Sequence, residues 1–130
     1  MKRSVSLVIE APDGLLLVRR PDDDADLPGV WGLPAASLAE GESHEDAVRR
    51  AAREKLGVEV RPLEAVGTDG AMTDFRAEIV TGDPSVPQAG PNTQYAELRW
   101  GEPADLVPAA RKGSLCSRVL LRARGLEWSG

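Results

Sequence analysis

The stretch from Ser43 to Gly57 constrains the fold of this chain more than any other, because it reads as a short helix with both ends marked and a narrow apolar face. Ser43 followed three residues later by Asp46 resembles a capping box with Asp in place of the usual Glu or Gln. Glu45 and Asp46 add negative charge to the first turn, where it meets the positive end of the helix dipole. Gly57 suits the left-handed backbone that closes a last turn. Between these ends Ala47, Val48, Ala51, Ala52 and Leu56 form a stripe made mostly of alanine. Such a helix can approach a neighbouring surface closely, and the pattern predicts that it lies against a sheet.

The rest of the chain supplies that sheet. Ser4 to Glu10 and Gly14 to Arg20 are strand-like runs around Ala11-Pro12-Asp13-Gly14, whose Asp-Gly pair favours a turn, so a hairpin is expected. Val58 to Gly67, Met72 to Thr81 and Tyr95 to Gly101 read as further strands. Pro103 to Val107 reads as a short helical turn, and Ser114 to Arg124 as a helix with a stripe of Leu115, Val119 and Arg122 beside Leu120, Leu121 and Ala123. Pro21 to Gly29, with four aspartates and two prolines, is an acidic surface loop. Prolines 84, 87 and 91 keep residues 82–92 irregular, either as a surface excursion or as a flap over a pocket or a contact with a second copy of the chain, as in a homodimer. The order of strands and helices predicts one α/β domain over residues 1–130, with α/β/α layers around a mixed sheet.

Composition narrows the function. A formal net charge of −5 lacks the basic footprint of a general nucleic-acid polymer binder, while local arginines leave room for a small anionic ligand. A single cysteine, Cys116, excludes an internal disulfide and suits a reducing compartment. No basic start is followed by an apolar run long enough for export or membrane spanning, so a cytoplasmic location without membrane attachment is expected.

From Ala36 onward the spacing is Ala36, five residues, Glu42, seven residues, then Arg50-Ala51-Ala52-Arg53-Glu54-Lys55-Leu56-Gly57-Val58. This resembles the Nudix family, whose box reads Gly, five residues, Glu, seven residues, Arg-Glu-apolar-any-Glu-Glu-any-Gly-apolar. Glu42, Arg50, Glu54, Gly57 and Val58 match and Ala52 fits the apolar slot, whereas Ala36, Ala51 and Lys55 depart from it. An apolar strand before the box (Leu15 to Arg20), Trp31-Gly32-Leu33-Pro34 leading into it and Glu97-Leu98-Arg99-Trp100 late in the chain also have family counterparts in this order. The resemblance covers nearly the whole chain and implies the same α/β/α sandwich.

It also implies a chemistry. In the family, carboxylates at the box positions occupied here by Ala51, Glu54 and Lys55 share a helix face and converge on Mg2+ (or Mn2+), which bridges diphosphate oxygens and activates the attacking water. Here three negative charges have become one negative and one positive, so the box is degenerate. An ammonium ~4 Å from a divalent ion at an effective dielectric of about 20 is repelled by roughly 8 kcal/mol. Lys55 therefore does not replace a ligand. Its stem carries the charge either to solvent, as an exposed residue near a helix C-terminus, or towards a substrate phosphate.

The candidate site residues follow. Glu54 is the metal ligand and catalytic residue that the resemblance implies, with Glu42 and Glu40 on the preceding loop as replacement oxygen donors. Arg50 either steadies these carboxylates or forms a surface ion pair with Glu54 one turn away. Gln94 falls near the family's late catalytic carboxylate, and since glutamine is no base, Glu97 is the better general-base candidate. Arg19 and Arg20 are adjacent on a strand, so only one of them can point to a phosphate pocket. Trp31, Phe75 and Tyr95 are either base-stacking platforms or core anchors, and His44 is expected at the surface. Two functions remain open: a metal-dependent hydrolase of a nucleoside diphosphate linked to another moiety, and a ligand-binding or regulatory domain on the same fold. Both take a small phosphorylated or nucleotide ligand.

Overall fold

The computed structural model describes residues 3–24, 27–86 and 95–128. The chain opens with β1 (Ser4–Ala11) and β2 (Gly14–Arg19), the expected hairpin. Gly14 is needed at its turn, since φ is 134° there and a Cβ would lie 2.4 Å from the Gly101 carbonyl oxygen. Short strands β3 (Trp31–Gly32) and β4 (Ala35–Ser37) lead to helix α1 (His44–Ala51), which continues as a wide π-helical turn over Ala52–Leu56. Long strands β5 (Glu59–Asp69) and β6 (Met72–Thr81) follow, then β7 (Glu97–Gly101), helix α2 (Val107–Arg111) and helix α3 (Leu115–Ala123).

The strands form one mixed sheet, in which the order β3-β2-β1-β6-β5 is extended by β4 on β1 and β7 on β2. β1 runs parallel to β6 from Ser4 opposite Met72 to Ile9 opposite Ala77. Its other edge is shared: the first half pairs with β4, from Ser4 opposite Ser37 to Ser6 opposite Ala35, and the last two residues pair with β2. β1 and β2 therefore diverge beyond their turn, and β4 enters the gap beside the start of β1.

Alternation sorts the core into two layers. Val5, Leu7 and Ile9 of β1 and Leu16 and Val18 of β2 pack with Ala47, Val48, Ala51, Ala52 and Leu56. Val8, Leu15 and Leu17 point the other way, into a core with Leu106, Ala110, Cys116, Leu120 and Leu121. This is the α/β/α arrangement the element order predicts, and the alanine stripe is the face that meets the sheet.

Three details differ from the expectations. The turn at Pro103 is a 3-10 segment over Pro103–Leu106 that continues into α2, with Pro108 in the first turn, where its missing N–H costs nothing. In α3 the buried face is Cys116, Ser117, Val119, Leu120 and Leu121, whereas Leu115 is 40 % exposed and Arg122 faces outward, so the expected stripe is misphased. Ser114 explains the phase: its hydroxyl caps α3 and bonds to Ser117, drawing that polar pair inward. Finally, Asp74 of β6 and Ser6 of β1, register partners on the α3 side of the sheet, are fully buried, and among the described residues neither makes a hydrogen bond of good geometry, so that the Ser6 hydroxyl is at best a weak donor to Asp74. Burial pushes the Asp74 carboxyl up to about 7, with the Ser6 hydroxyl pulling more weakly the other way. Residues 87–94, and with them Gln94 and most of the 82–92 segment, lie outside the described residues. What precedes them is irregular and is tied to the end of the wide turn by the Ser85 N–H, which donates to Leu56 O at 2.9 Å.

Candidate active site

Helix α1 starts as its sequence dictates: the Ser43 hydroxyl accepts from the Asp46 N–H at 3.1 Å. The Asp46 carboxylate accepts from Arg49 at 3.0 Å. After Ala51 the backbone widens, and Gly57 closes the π turn with φ of 70°, in the left-handed region. Lys55 and Leu56, four residues after Ala51 and Ala52, continue the buried face. Lys55 is 8 % exposed, which overturns the first of its two expected positions, a solvent-exposed lysine at the helix end. Its Nζ lies 5.6 Å from the centroid of the Tyr95 ring. Desolvation pushes the ammonium pKa down; Glu54 opposes this, and the positive charges of Arg20 and Arg50 add to it.

Arg50 is the hub of the site. Its Nε donates to Glu42 Oε2 at 2.9 Å and its Nη2 to Glu42 Oε1 at 3.0 Å, a bidentate pair. Nη2 also donates to the Ser37 carbonyl at 2.7 Å, and Nη1 to Glu54 Oε1 at 3.1 Å. Glu42 Oε1 further accepts from the Ala39 N–H at 2.8 Å. These donors, Arg50 first, hold the Glu42 carboxyl down at about 2. With no carboxylate at position 51, Glu42 is the anionic anchor of Arg50, and the loop, β4 and the helix are locked together.

Between this hub and the strand edge opens a cavity of about 410 Å³ lined by Arg20, Arg50, Glu54 and Lys55, with Ser4 and Ser37 in its wall. Four of the sequence candidates are therefore brought together. Glu42 stands behind them through Arg50. Of the adjacent arginines Arg20 reaches the cavity, with Nη1 3.3 Å from Asp24, while Arg19 binds Glu97 at 2.7 Å and Asp22 at 3.0 Å. Glu97, at the start of β7, is consequently tied to Arg19 and does not line the cavity. Glu40 is exposed on the loop and does not line it either. Trp31 packs against the α3-side core, with the Arg99 guanidinium 4.2 Å from its ring centroid. Tyr95 is buried: its hydroxyl accepts from the Ala35 N–H at 2.9 Å and donates to Ala35 O at 3.3 Å, and burial raises its pKa to about 12. It supports Lys55 from below and offers no face for a base. Phe75 is likewise a core residue, and His44 is half-buried with its ring centroid 5.7 Å from that of Phe75. The parts of the site absent from the sequence reading are the Ser37 carbonyl and the Ser4 wall, which meet only because β4 pairs with β1, a contact that no local pattern announces.

The donors present do not fit a carboxylate-held magnesium cluster. Ala51 is fully buried and has no donor, both Glu42 oxygens are engaged, and Lys55 shares the cavity with Glu54. Among the described residues no group of three or more His, Cys, Asp or Glu side chains is placed to hold a metal ion.

A mixed sheet between helical layers, with a cavity lined by Arg20, Arg50, Glu54 and Lys55 at the end of a helix bearing this box spacing, defines an α/β/α protein with a charged pocket at one edge of its sheet. A NUDIX domain is matched over residues 1–122, and the chain belongs to the Nudix family. It is 31% identical over 123 residues to the NAD-capped RNA hydrolase NudC of Pseudomonas aeruginosa, covering 90% of this chain and 42% of that protein. It is 34% identical over 114 residues to the isopentenyl-diphosphate Delta-isomerase of Kocuria rhizophila, covering 75% of this chain and 61% of the isomerase. The chain thus spans less than two thirds of the length of either relative. In fold it is similar to a NUDIX hydrolase from Nitrosomonas europaea, with a TM-score of 0.71 at 21% identity over 95% of this chain and 88% of that one. Among the described residues no helix is long and apolar enough to cross a membrane.

Proposed function

We propose that this chain is a Nudix-type hydrolase of a small compound in which a nucleoside diphosphate is linked to another group, and that the cavity beside α1 is its active site. The observation that carries this reading is the meeting of Glu54 with three cations, Arg20, Arg50 and Lys55, in one open cavity. Arg20, with its planar fork, and Lys55, as a point charge, hold phosphate oxygens. Arg50 is a positioning residue that fixes Glu54 against Glu42. Glu54 takes the proton of the attacking water as its oxygen bonds to phosphorus and the anhydride P–O bond breaks. The cations stabilise the charge that develops on the phosphates. A diphosphate ligand is in keeping with the relatives' names, since an NAD cap and isopentenyl diphosphate both contain one. The RNA in the NudC name is not carried over, because this chain matches only 42% of that protein and is itself acidic. A cytoplasmic setting fits its single, buried cysteine.

A second reading, binding without turnover, is favoured by the same Lys55 that stands where a metal ligand would be. The two separate in an assay of nucleotide sugars, dinucleotides and nucleoside triphosphates, with and without magnesium or manganese. The hydrolase reading expects turnover that Glu54→Gln abolishes while binding persists. Turnover unchanged in Glu54→Gln removes the assigned base, and binding without turnover on any compound establishes the second reading.

A further inference from the structure

We infer that the cavity holds the diphosphate of its ligand with the protein's own cations, Lys55 and Arg20 backed by Arg50, in place of a divalent metal ion, so that ligand binding needs no metal. This rests on the reading of the cavity as a diphosphate site. Lys55 follows Glu54 directly in the wide turn and lines the same cavity instead of reaching solvent. The Tyr95 ring beneath its ammonium, fastened to Ala35 through its hydroxyl, limits where that charge can go. Lys55 is desolvated there, and Arg20 and Arg50 act on it as like charges, more weakly than Glu54 acts as an opposite one. A diphosphate brings negative oxygens to all three cations at once. A divalent ion adds a further positive charge beside them, and the donor set offers it one cavity carboxylate, Glu54, already bonded to Arg50. The departures from the family box thus form a coherent exchange: where relatives assemble anions around a mobile cation, this chain builds the cation in.

The test uses α,β-methylene-ADP, whose bridge resists hydrolysis, in calorimetric titrations of the full chain with EDTA or with excess magnesium. Affinity in EDTA is expected to be retained, and magnesium, by neutralising the probe, to weaken it severalfold. Lys55→Gln should weaken binding in EDTA by about tenfold to a hundredfold, the range for losing a charged hydrogen bond. Arg20→Gln, at a strand end, provides the same readout if the Lys55 variant melts early. Binding that appears only with magnesium overturns the inference and leaves the diphosphate site standing. Binding in neither condition overturns both. Equal affinity for wild type and both variants in EDTA also overturns it, by placing the probe elsewhere.

Discussion

On the α1 side of the sheet, Glu42 has its side chain 13% exposed and accepts bonds from Arg50 and a backbone N–H. On the α3 side, Asp74 is fully buried with only the weakly placed Ser6 hydroxyl beside it. One carboxyl is held at about 2 and the other pushed up to about 7. The difference in exposure is modest; the difference in donors, a bidentate guanidinium and a backbone N–H against one weakly placed hydroxyl, is large. Burial alone penalises the charged form, whereas donors around the charge reverse the sign. The α1 face can therefore carry charge to the edge of a cavity, and the α3 face favours its acid in the neutral form up to about pH 7.

The largest effect that would break this contrast concerns Asp74. Its folded pKa is raised from 3.8 to about 7, so its contribution to stability is present below about 4 and is lost as pH climbs through about 7. The loss amounts to about 4 kcal/mol at most. Urea unfolding across this range should show the decline in wild type and a flatter profile in Asp74→Asn; equal slopes would mean that Asp74 finds a donor. Within the same layer, Leu120→Ala should cost about 3 kcal/mol in unfolding free energy, because Leu120 is fully buried. On the opposite face, Arg50→Met should destabilise by about 2 kcal/mol through loss of the paired hydrogen bonds. The acid limb should change too. Glu42's stabilisation is present above its ordinary 4.5 and is lost as pH falls towards about 2 in wild type, and in Arg50→Met, whose native carboxyl lacks its main donor, that acid loss should be smaller. Tyr95→Phe should cost about 1 kcal/mol in melting experiments, for the clasp to Ala35. Smallest, Leu115→Ala should stay within about 0.5 kcal/mol, since this leucine is 40 % exposed. A large loss there would restore the stripe expected from sequence.

What was legible in the sequence was local. The Ser43 cap, the Gly57 stop, the Asp-Gly hairpin and the alanine stripe each rest on neighbouring residues, and each reappears in the fold. Strand alternation likewise separated Arg20 from Arg19. The phase of α3 was not legible, because a buried serine pair turns polar residues inward. The buried position of Lys55 was legible but overruled: spacings of four from Ala51 and three from Ala52 put it on the apolar face, and only its charge argued for solvent. Glu97 could not be placed without knowing that β7 pairs with β2, setting it opposite Arg19. Non-local pairing and one irregular turn account for what the sequence concealed about the site.

That turn has a consequence for the length of the chain. The segment Ala52–Leu56 holds one residue more than an α-helical turn would use over the same rise, a slack taken up between the fixed stripe of α1 and the stop at Gly57. Deleting a single residue there would let the helix retighten while both of its anchors stayed in place. Lys55 and Glu54 would swing around the axis together, and the cavity would lose one of its three cations and its carboxylate at one stroke. The make-up of this pocket thus depends on a count of residues as much as on their kind.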